Sequence, residues 1–145
     1  MGKGHALTTK KEREELIRRA ANAKARAYAP YSQFRVGAAL LTKEGEVFEG
    51  CNVENSSYSL TICAERNAVF QAVMAGKTSF RSIAISSDEH TFLPPCGACR
   101  QVLSEFSPSM EIILTNGEGK MKVVSLEDLH PMPADLKMLA RSGGR

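Results

Sequence analysis

The sequence contains no tryptophan, and aromatic residues fill only 6% of its 145 positions. Proteins that bind polynucleotide strands by stacking need aromatic platforms along a cationic channel, and this chain has little to build one from. Charge of a single sign is scarce as well: 19 Lys and Arg against 16 Asp and Glu leave a formal net charge of +3. Electrostatic nucleic-acid binders carry larger, clustered excesses. The densest basic run, Lys10 to Arg26, is interrupted by Glu12, Glu14 and Glu15 and reads as a solvated helix face. No stretch approaches the roughly 20 apolar residues that span a membrane. The opening residues, Met1-Gly2-Lys3-Gly4-His5, lack the apolar run of a secretory signal. These absences predict a cytoplasmic protein with neither nucleic acid nor membrane as partner.

What is present suits one globular domain over residues 1–145. With 43% hydrophobic and 24% charged residues, the chain can build a single core of modest size, so further burial by self-association is expected. Cysteine is sparse, at four positions: Cys51, Cys63, Cys96 and Cys99. In a reducing compartment such residues more often serve metals or catalysis than disulfides.

Thr9 and Glu12 have capping-box spacing and predict a helix start, with Leu16, Ile17, Ala20, Ala23 and Ala27 recurring on one face. Tyr28 to Ser32 reads as a loop. Phe34, Val36, Ala38 and Leu40 alternate as in a strand; a turn at Lys43-Glu44-Gly45 leads to a second strand, Val47 to Asn52, completing a hairpin. After the polar loop Asn52 to Ser59, a helix is predicted from Cys63 to Ala75, stopped by Gly76. Ile83 to Ile85 mark a buried strand, and Pro94-Pro95 delay the next helix, Gly97 to Phe106. Strands at Glu111 to Thr115 and Lys120 to Val124 flank a turn, and Ser125 and Asp128 predict a short capped helix before Pro131. The tail Ser142-Gly143-Gly144-Arg145 reads as loose. This order predicts an α/β/α sandwich of three layers around a mixed five-stranded sheet.

Cys96 and Cys99 lie three apart at a helix start, which turns both sulfurs to one side of the first turn. Free backbone N–H groups and the positive end of the helix dipole favour thiolates there. Cys63 opens the other helix and can approach the same point. Three thiolates form a tripod for zinc, with bonds of about 2.3 Å and a fourth position open. Glu65, two residues beyond Cys63, suits proton transfer better than ligation beside three thiolates. Three thiolates leave zinc with net negative charge and weaken its Lewis acidity. Arg66 and Arg100, each directly following a site segment, are expected to offset that charge.

Plainer readings compete. Cys96-Gly97-Ala98-Cys99 has the spacing of a redox pair, although that motif usually follows the first strand of its fold. A closed structural zinc needs a fourth ligand, for which Cys51 or His90 are the candidates, and leaves Glu65 without a task. Cys51 itself reads as a small apolar residue ending a strand. His5, His90 and His130 have no evident partners in the sequence.

Cys63-Ala64-Glu65 followed by Pro95-Cys96-Gly97-Ala98-Cys99-Arg100-Gln101 resembles the small, homotetrameric, three-cysteine cytidine deaminases. The likeness extends to Tyr28-Ala29-Pro30-Tyr31-Ser32, Phe34, Val36-Gly37-Ala38-Ala39-Leu40 and Gly50-Cys51-Asn52-Val53-Glu54-Asn55, covering most of the chain between Tyr28 and Leu129. It implies one zinc per subunit, a tetramer, and hydrolytic deamination of free cytidine and 2'-deoxycytidine in pyrimidine salvage. It also implies roles: Asn52 and Glu54 hold the ribose near its 3'-hydroxyl, Phe34 packs near the base, and the Ala64 backbone contacts the base. Tyr58 lies in a segment that reaches toward a neighbouring subunit's site, and Glu65 recognises N3 and the leaving amine. One departure stands out. The family's tail commonly carries a phenylalanine over a neighbouring site, whereas here the last aromatic is Phe106 and only His130 or Met132 stands nearby as a substitute.

A blasticidin-type nucleoside deaminase shares the chemistry and is the nearest rival; Asn52, Glu54 and the Phe34 region favour cytidine. A polynucleotide deaminase is disfavoured by the scarce aromatics and small charge. A non-catalytic zinc module differs in that it unfolds when stripped of metal.

Overall fold

The computed structural model describes residues 8–137. The expectations for Met1 to His5 and for the tail Ser142 to Arg145 lie outside them. Helix α1 (Lys10–Lys24) starts with the predicted capping box, Thr9 Oγ accepting from the Glu12 N–H at 3.1 Å and Glu12 Oε1 from the Thr9 N–H at 2.9 Å. The helix ends before Ala27, so its buried stripe is Leu16, Ala20 and Ala23.

Strands β1 (Val36–Thr42) and β2 (Val47–Cys51) form the hairpin. A single 3-10 turn at Tyr58–Leu60 interrupts the Asn- and Ser-rich loop and precedes helix α2 (Ala64–Met74). Strand β3 (Phe80–Ser87), helix α3 (Gly97–Phe106), strands β4 (Glu111–Thr115) and β5 (Met121–Ser125) and the short helix α4 (Leu126–Leu129) complete the order. Among the described residues the sheet runs β2-β1-β3-β4-β5. Only the β3–β4 pair is parallel, and α3 lies in its crossover. The sheet is therefore mixed, as predicted. No helix among the described residues is long and apolar enough to cross a membrane.

The two faces are covered differently. Leu16 and Ala20 of α1 pack on Ala39, Leu41, Ala84 and Ile113 on one side. On the other, Ala64 and Ala68 of α2, Leu103 of α3 and Leu126 of α4 pack with Leu40 and Ile83. β1 is thus buried on both faces along almost its whole length. Burying one Leu or Ile is worth about 1.5–3 kcal/mol, so these two layers outweigh the surface ion pairs, at about 0–1 kcal/mol each. Those pairs absorb much of the basic run of α1: Arg13 meets Glu111, Arg19 and Arg26 meet Glu49, and Lys24 meets Asp88.

Two glycines let the helices come this close. A Cβ on Gly37 would stand 2.1 Å from the Ala20 carbonyl oxygen, and one on Gly50 would stand 2.4 Å from that of Ala64. Gly50 therefore sets the height of α2 above the sheet, and α2 carries Glu65.

Candidate metal and acid-base centre

Cys63 is the N-cap of α2 and Cys96 the N-cap of α3, and neither helix start is capped by a side-chain hydrogen bond. The first-turn N–H groups at both ends are left facing the same place, where they favour negative charge. Cys99 lies in the first turn of α3. The Cys63 and Cys96 sulfurs are 3.8 Å apart and those of Cys96 and Cys99 3.5 Å. All three lie within 4.8 Å of one another, the one group among the described residues that could hold a metal ion. A tetrahedral ion with bonds of about 2.3 Å has sulfur–sulfur edges of about 3.8 Å, so the donor set fits zinc. Cys51 and His90, the candidates for a fourth closing ligand, stand outside this group. The Cys51 thiol instead donates to the Arg26 carbonyl at 3.5 Å at the end of β2.

Electrostatics separate the thiols. Cys63 is pulled down to about 5 by a hydrogen bond from the Cys99 thiol, with help from the Arg66 guanidinium. Arg66 Nη2 donates to Cys63 Sγ at 3.3 Å. Cys99, paired with Cys63 and buried, is pushed up, because adjacent thiolates resist sharing charge. Glu65 occupies the first turn of α2 and is 5% exposed. Burial pushes its carboxyl up to about 7, and the Cys63 thiolate adds to the rise. Such a group exchanges protons readily near neutrality.

Arg100 differs from expectation. Its Nε donates to the Pro95 carbonyl at 2.8 Å and its Nη1 to the Leu129 carbonyl at 2.9 Å. The hydrogen bond to sulfur comes from Arg66, which sits one turn after Cys63 on the same helix face; Arg100, just past Cys99, spends its guanidinium on the Pro95 and Leu129 carbonyls.

The nucleoside candidates form a second group beside the first. Asn52 is buried; its Oδ1 accepts from the Val36 N–H at 2.9 Å and its Nδ2 donates to the Phe34 carbonyl at 2.9 Å. The amide thus extends the hairpin by one rung and keeps one N–H and one lone pair uncommitted to those partners. Glu54, also buried, accepts through Oε1 from the Tyr31 N–H at 3.0 Å and the Ser32 N–H at 3.1 Å, and through Oε2 from the Ser32 hydroxyl. In the same loop Gln33 has φ 57°, a left-handed conformation uncommon outside glycine, next to the half-buried Phe34. Tyr58 is 67% exposed and meets Tyr31 edge-on, with ring centroids 6.1 Å apart. Ala64 is fully buried beneath Gly50.

Backbone pairing joins the two groups. Val53, between Asn52 and Glu54, exchanges two hydrogen bonds of 3.0 Å with Ile62, the residue before Cys63. Sequence reading missed this bridge, because a backbone pair imposes no residue type. It also missed Asn67, whose Nδ2 donates to the Cys51 carbonyl at 2.8 Å and ties α2 to β2, and Ser32 as the hydroxyl on Glu54. The Pro30-Tyr31-Ser32 turn was the available signal for Ser32. His130, without an evident partner in the sequence, bonds through Nε2 to Gln101 Oε1 at 3.0 Å.

Known proteins share this arrangement of chain and fold. The family model "Cytidine and deoxycytidylate deaminase zinc-binding region" matches residues 10–115. A cytidine deaminase of Sporosarcina psychrophila is 48% identical over 119 residues, 81% of this chain and 88% of that one. The crystal structure of cytidine deaminase from Burkholderia pseudomallei superposes with a TM-score of 0.81 at 50% identity, covering 83% of this chain and 98% of that one. A blasticidin-S deaminase of Bacillus cereus is more distant, 32% identical over 109 residues, 70% of this chain and 77% of that one. A family match that spans both uncapped helix starts, in a chain whose sheet superposes on a solved member, places this protein in the cytidine and deoxycytidylate deaminase zinc-binding family.

Proposed function

We infer that this protein catalyses the zinc-dependent hydrolysis of free cytidine and 2'-deoxycytidine to uridine and 2'-deoxyuridine, releasing ammonia, as a step of pyrimidine salvage. The observation that carries the reading is Glu65: a buried carboxyl, with its affinity for protons raised to about 7, in the same helical turn as one of three clustered thiols. A structural zinc module has no use for it.

Zinc, one ion per subunit, would be held by Cys63, Cys96 and Cys99 and would supply Lewis acidity there. The chain's own residues do the rest. Glu65 takes a proton from the attacking water as the C4–O bond forms and gives it to N3 of the cytosine; it then takes the remaining proton from the new C4 hydroxyl and passes it to the C4 amine, so that the C4–N bond breaks and ammonia leaves as the C4 carbonyl forms. Arg66 offsets thiolate charge at Cys63. Asn52 and Glu54 offer their remaining hydrogen-bonding capacity to the sugar hydroxyls, Phe34 packs near the base, and the Ala64 backbone meets the pyrimidine edge. Because the polar groups are buried, a ligand lacking their partners leaves them unsatisfied and is rejected.

The functional unit is a cytoplasmic homo-oligomer, a tetramer, of single-domain subunits. Supporting this, Phe70, Val73 and Met74 on the outer face of α2 are 49%, 40% and 89% exposed. Phe70 and Met74, with Val53 and Cys51, line an open groove of about 510 Å³. Tyr58, exposed beside the nucleoside group, reaches toward a neighbouring subunit's site in this reading.

The test is the ultraviolet absorbance of cytidine incubated with zinc-loaded protein, with blasticidin S in parallel. Conversion to uridine is expected for the wild type, with Glu65→Gln retaining zinc but slowed by about 10²–10⁴-fold. Turnover of blasticidin S without turnover of cytidine overturns the substrate; full activity in Glu65→Gln overturns the proton carrier.

A further inference from the structure

The three sulfurs are not equally held. Cys99 is buried and Cys63 half-buried, whereas Cys96 is exposed. As the N-cap of α3, Cys96 takes its position from the loop that leads into it. The last residue of that loop, Pro95, is fully buried and has no N–H to anchor. Its carbonyl is held by Arg100 Nε at 2.8 Å, while Nη1 of the same guanidinium holds the carbonyl of Leu129, the last residue of α4, at 2.9 Å.

Gln101 fastens the chain that follows. Its Nε2 donates to the Ala134 carbonyl at 2.9 Å and its Oε1 accepts from the Ala134 N–H at 3.2 Å. This two-point pairing fixes which end of the amide is oxygen. His130 Nε2, 3.0 Å from that oxygen, is therefore the donor. The two residues directly after Cys99 thus bind the segment 129–134 to the start of α3.

We propose that Arg100 is a positioning residue for the metal centre: by bridging the Pro95 and Leu129 carbonyls it fixes the approach of Cys96, and it makes metal retention depend on the docked C-terminal segment. The proposal rests on the reading of the three cysteines as zinc ligands. A guanidinium suits the task because its donors point along fixed, divergent directions and reach both carbonyls at once. A lysine ammonium on a flexible stem does not hold two such partners in a set geometry. Loss of a group that orients a metal ligand typically weakens binding by about 10–100-fold.

The experiment compares wild-type, Arg100→Lys and Gln101→Ala full-length proteins. Zinc transfer to a chromogenic chelator is timed, and the visible spectrum of the cobalt(II)-loaded proteins reports sulfur geometry independently of turnover. Arg100→Lys is expected to release zinc about tenfold faster or more, with altered cobalt bands. Gln101→Ala, which loosens the segment but leaves the Pro95 contact, is expected to release it about two- to fivefold faster with bands like the wild type. Release and spectra of Arg100→Lys that match the wild type overturn the proposal. If Arg100→Lys shows no cooperative thermal transition, Gln101→Ala decides alone: unchanged release overturns the link to the C-terminal segment and with it the proposal. A wild-type chain that takes up neither metal is a separate failure, that of the zinc reading itself, and the proposal falls with it.

Discussion

Arg66 Nη2 stands 3.3 Å from the sulfur of Cys63, one turn along α2. That contact adds to the hydrogen bond from the Cys99 thiol, the larger cause, in pulling Cys63 down to about 5. Replacing the cation with a neutral amide, Arg66→Gln, is expected to weaken zinc binding by about 10–100-fold and to lower kcat in the zinc-saturated enzyme. Competition with a chelator of known affinity, followed by kinetics at saturating zinc, separates the two effects. Unchanged zinc affinity together with unchanged kcat would show that the arginine serves only packing.

Glu54 gives a pH signature. The Ser32 hydroxyl, then the Ser32 and Tyr31 N–H groups, hold its carboxyl below the usual range. A carboxylate with a lowered folded-state pKa stabilises the fold above its unfolded value, and that stability disappears as pH falls through the folded one. The loop at Tyr31 and Ser32 should therefore loosen on acidification from about pH 6 to about pH 3. Glu54→Gln should melt below the wild type at the upper end, with the gap closing toward the lower. Melting curves across that range check it, and a gap that ignores pH refutes it.

Gly50 and Gly37 provide a matched pair of variants. A Cβ at Gly50 would meet α2 backbone, 2.4 Å from Ala64 O and 2.5 Å from Ala68 N, and one at Gly37 would meet α1 backbone, 2.3 Å from Lys24 N. Backbone cannot rotate aside, so each alanine should destabilise by about 1–3 kcal/mol or more. Only Gly50→Ala displaces the helix bearing Glu65. Thermal denaturation beside kcat should show two unstable proteins, of which Gly37→Ala alone keeps its turnover per folded molecule.

The outer face of α2 can be tested by charge. Met74→Asp and Phe70→Asp place a carboxylate where apolar groups face solvent in the single chain. Both should sediment as smaller species than the wild type while remaining folded. Sedimentation velocity reads this directly, and an unchanged coefficient in both variants would move the interface elsewhere.

How much of this was legible in the sequence depends on what kind of partner each residue has. α3 was read closely because Pro94-Pro95 mark where helix cannot yet begin, and β4 was read as Glu111 to Thr115, as found. The start of α1 was equally plain from Thr9 and Glu12. The Cys63, Cys96 and Cys99 cluster was legible because sulfur at a helix start has few other uses. β1 was found from the alternation at Phe34, Val36, Ala38 and Leu40, but the strand begins at Val36, and helices bury both of its faces. Asn52 was read as a sugar-binding residue, yet its amide also completes the sheet at Phe34 and Val36. Arg100 was expected to offset thiolate charge because it directly follows a site segment, whereas the groups it bonds are two backbone carbonyls, one of them 29 residues away. Any residue type can present a carbonyl, so composition holds no trace of such a link.

Cys63 and Cys96 are 33 residues apart in the chain, and their helices converge only when β3 has taken its place between β1 and β4. The centre cannot nucleate from a local turn, as a zinc finger does. Contacts of such long range are costly to close. Metal uptake by a refolding chain accordingly reports assembly of the sheet between the two helices, and it distinguishes finished molecules from partly assembled ones.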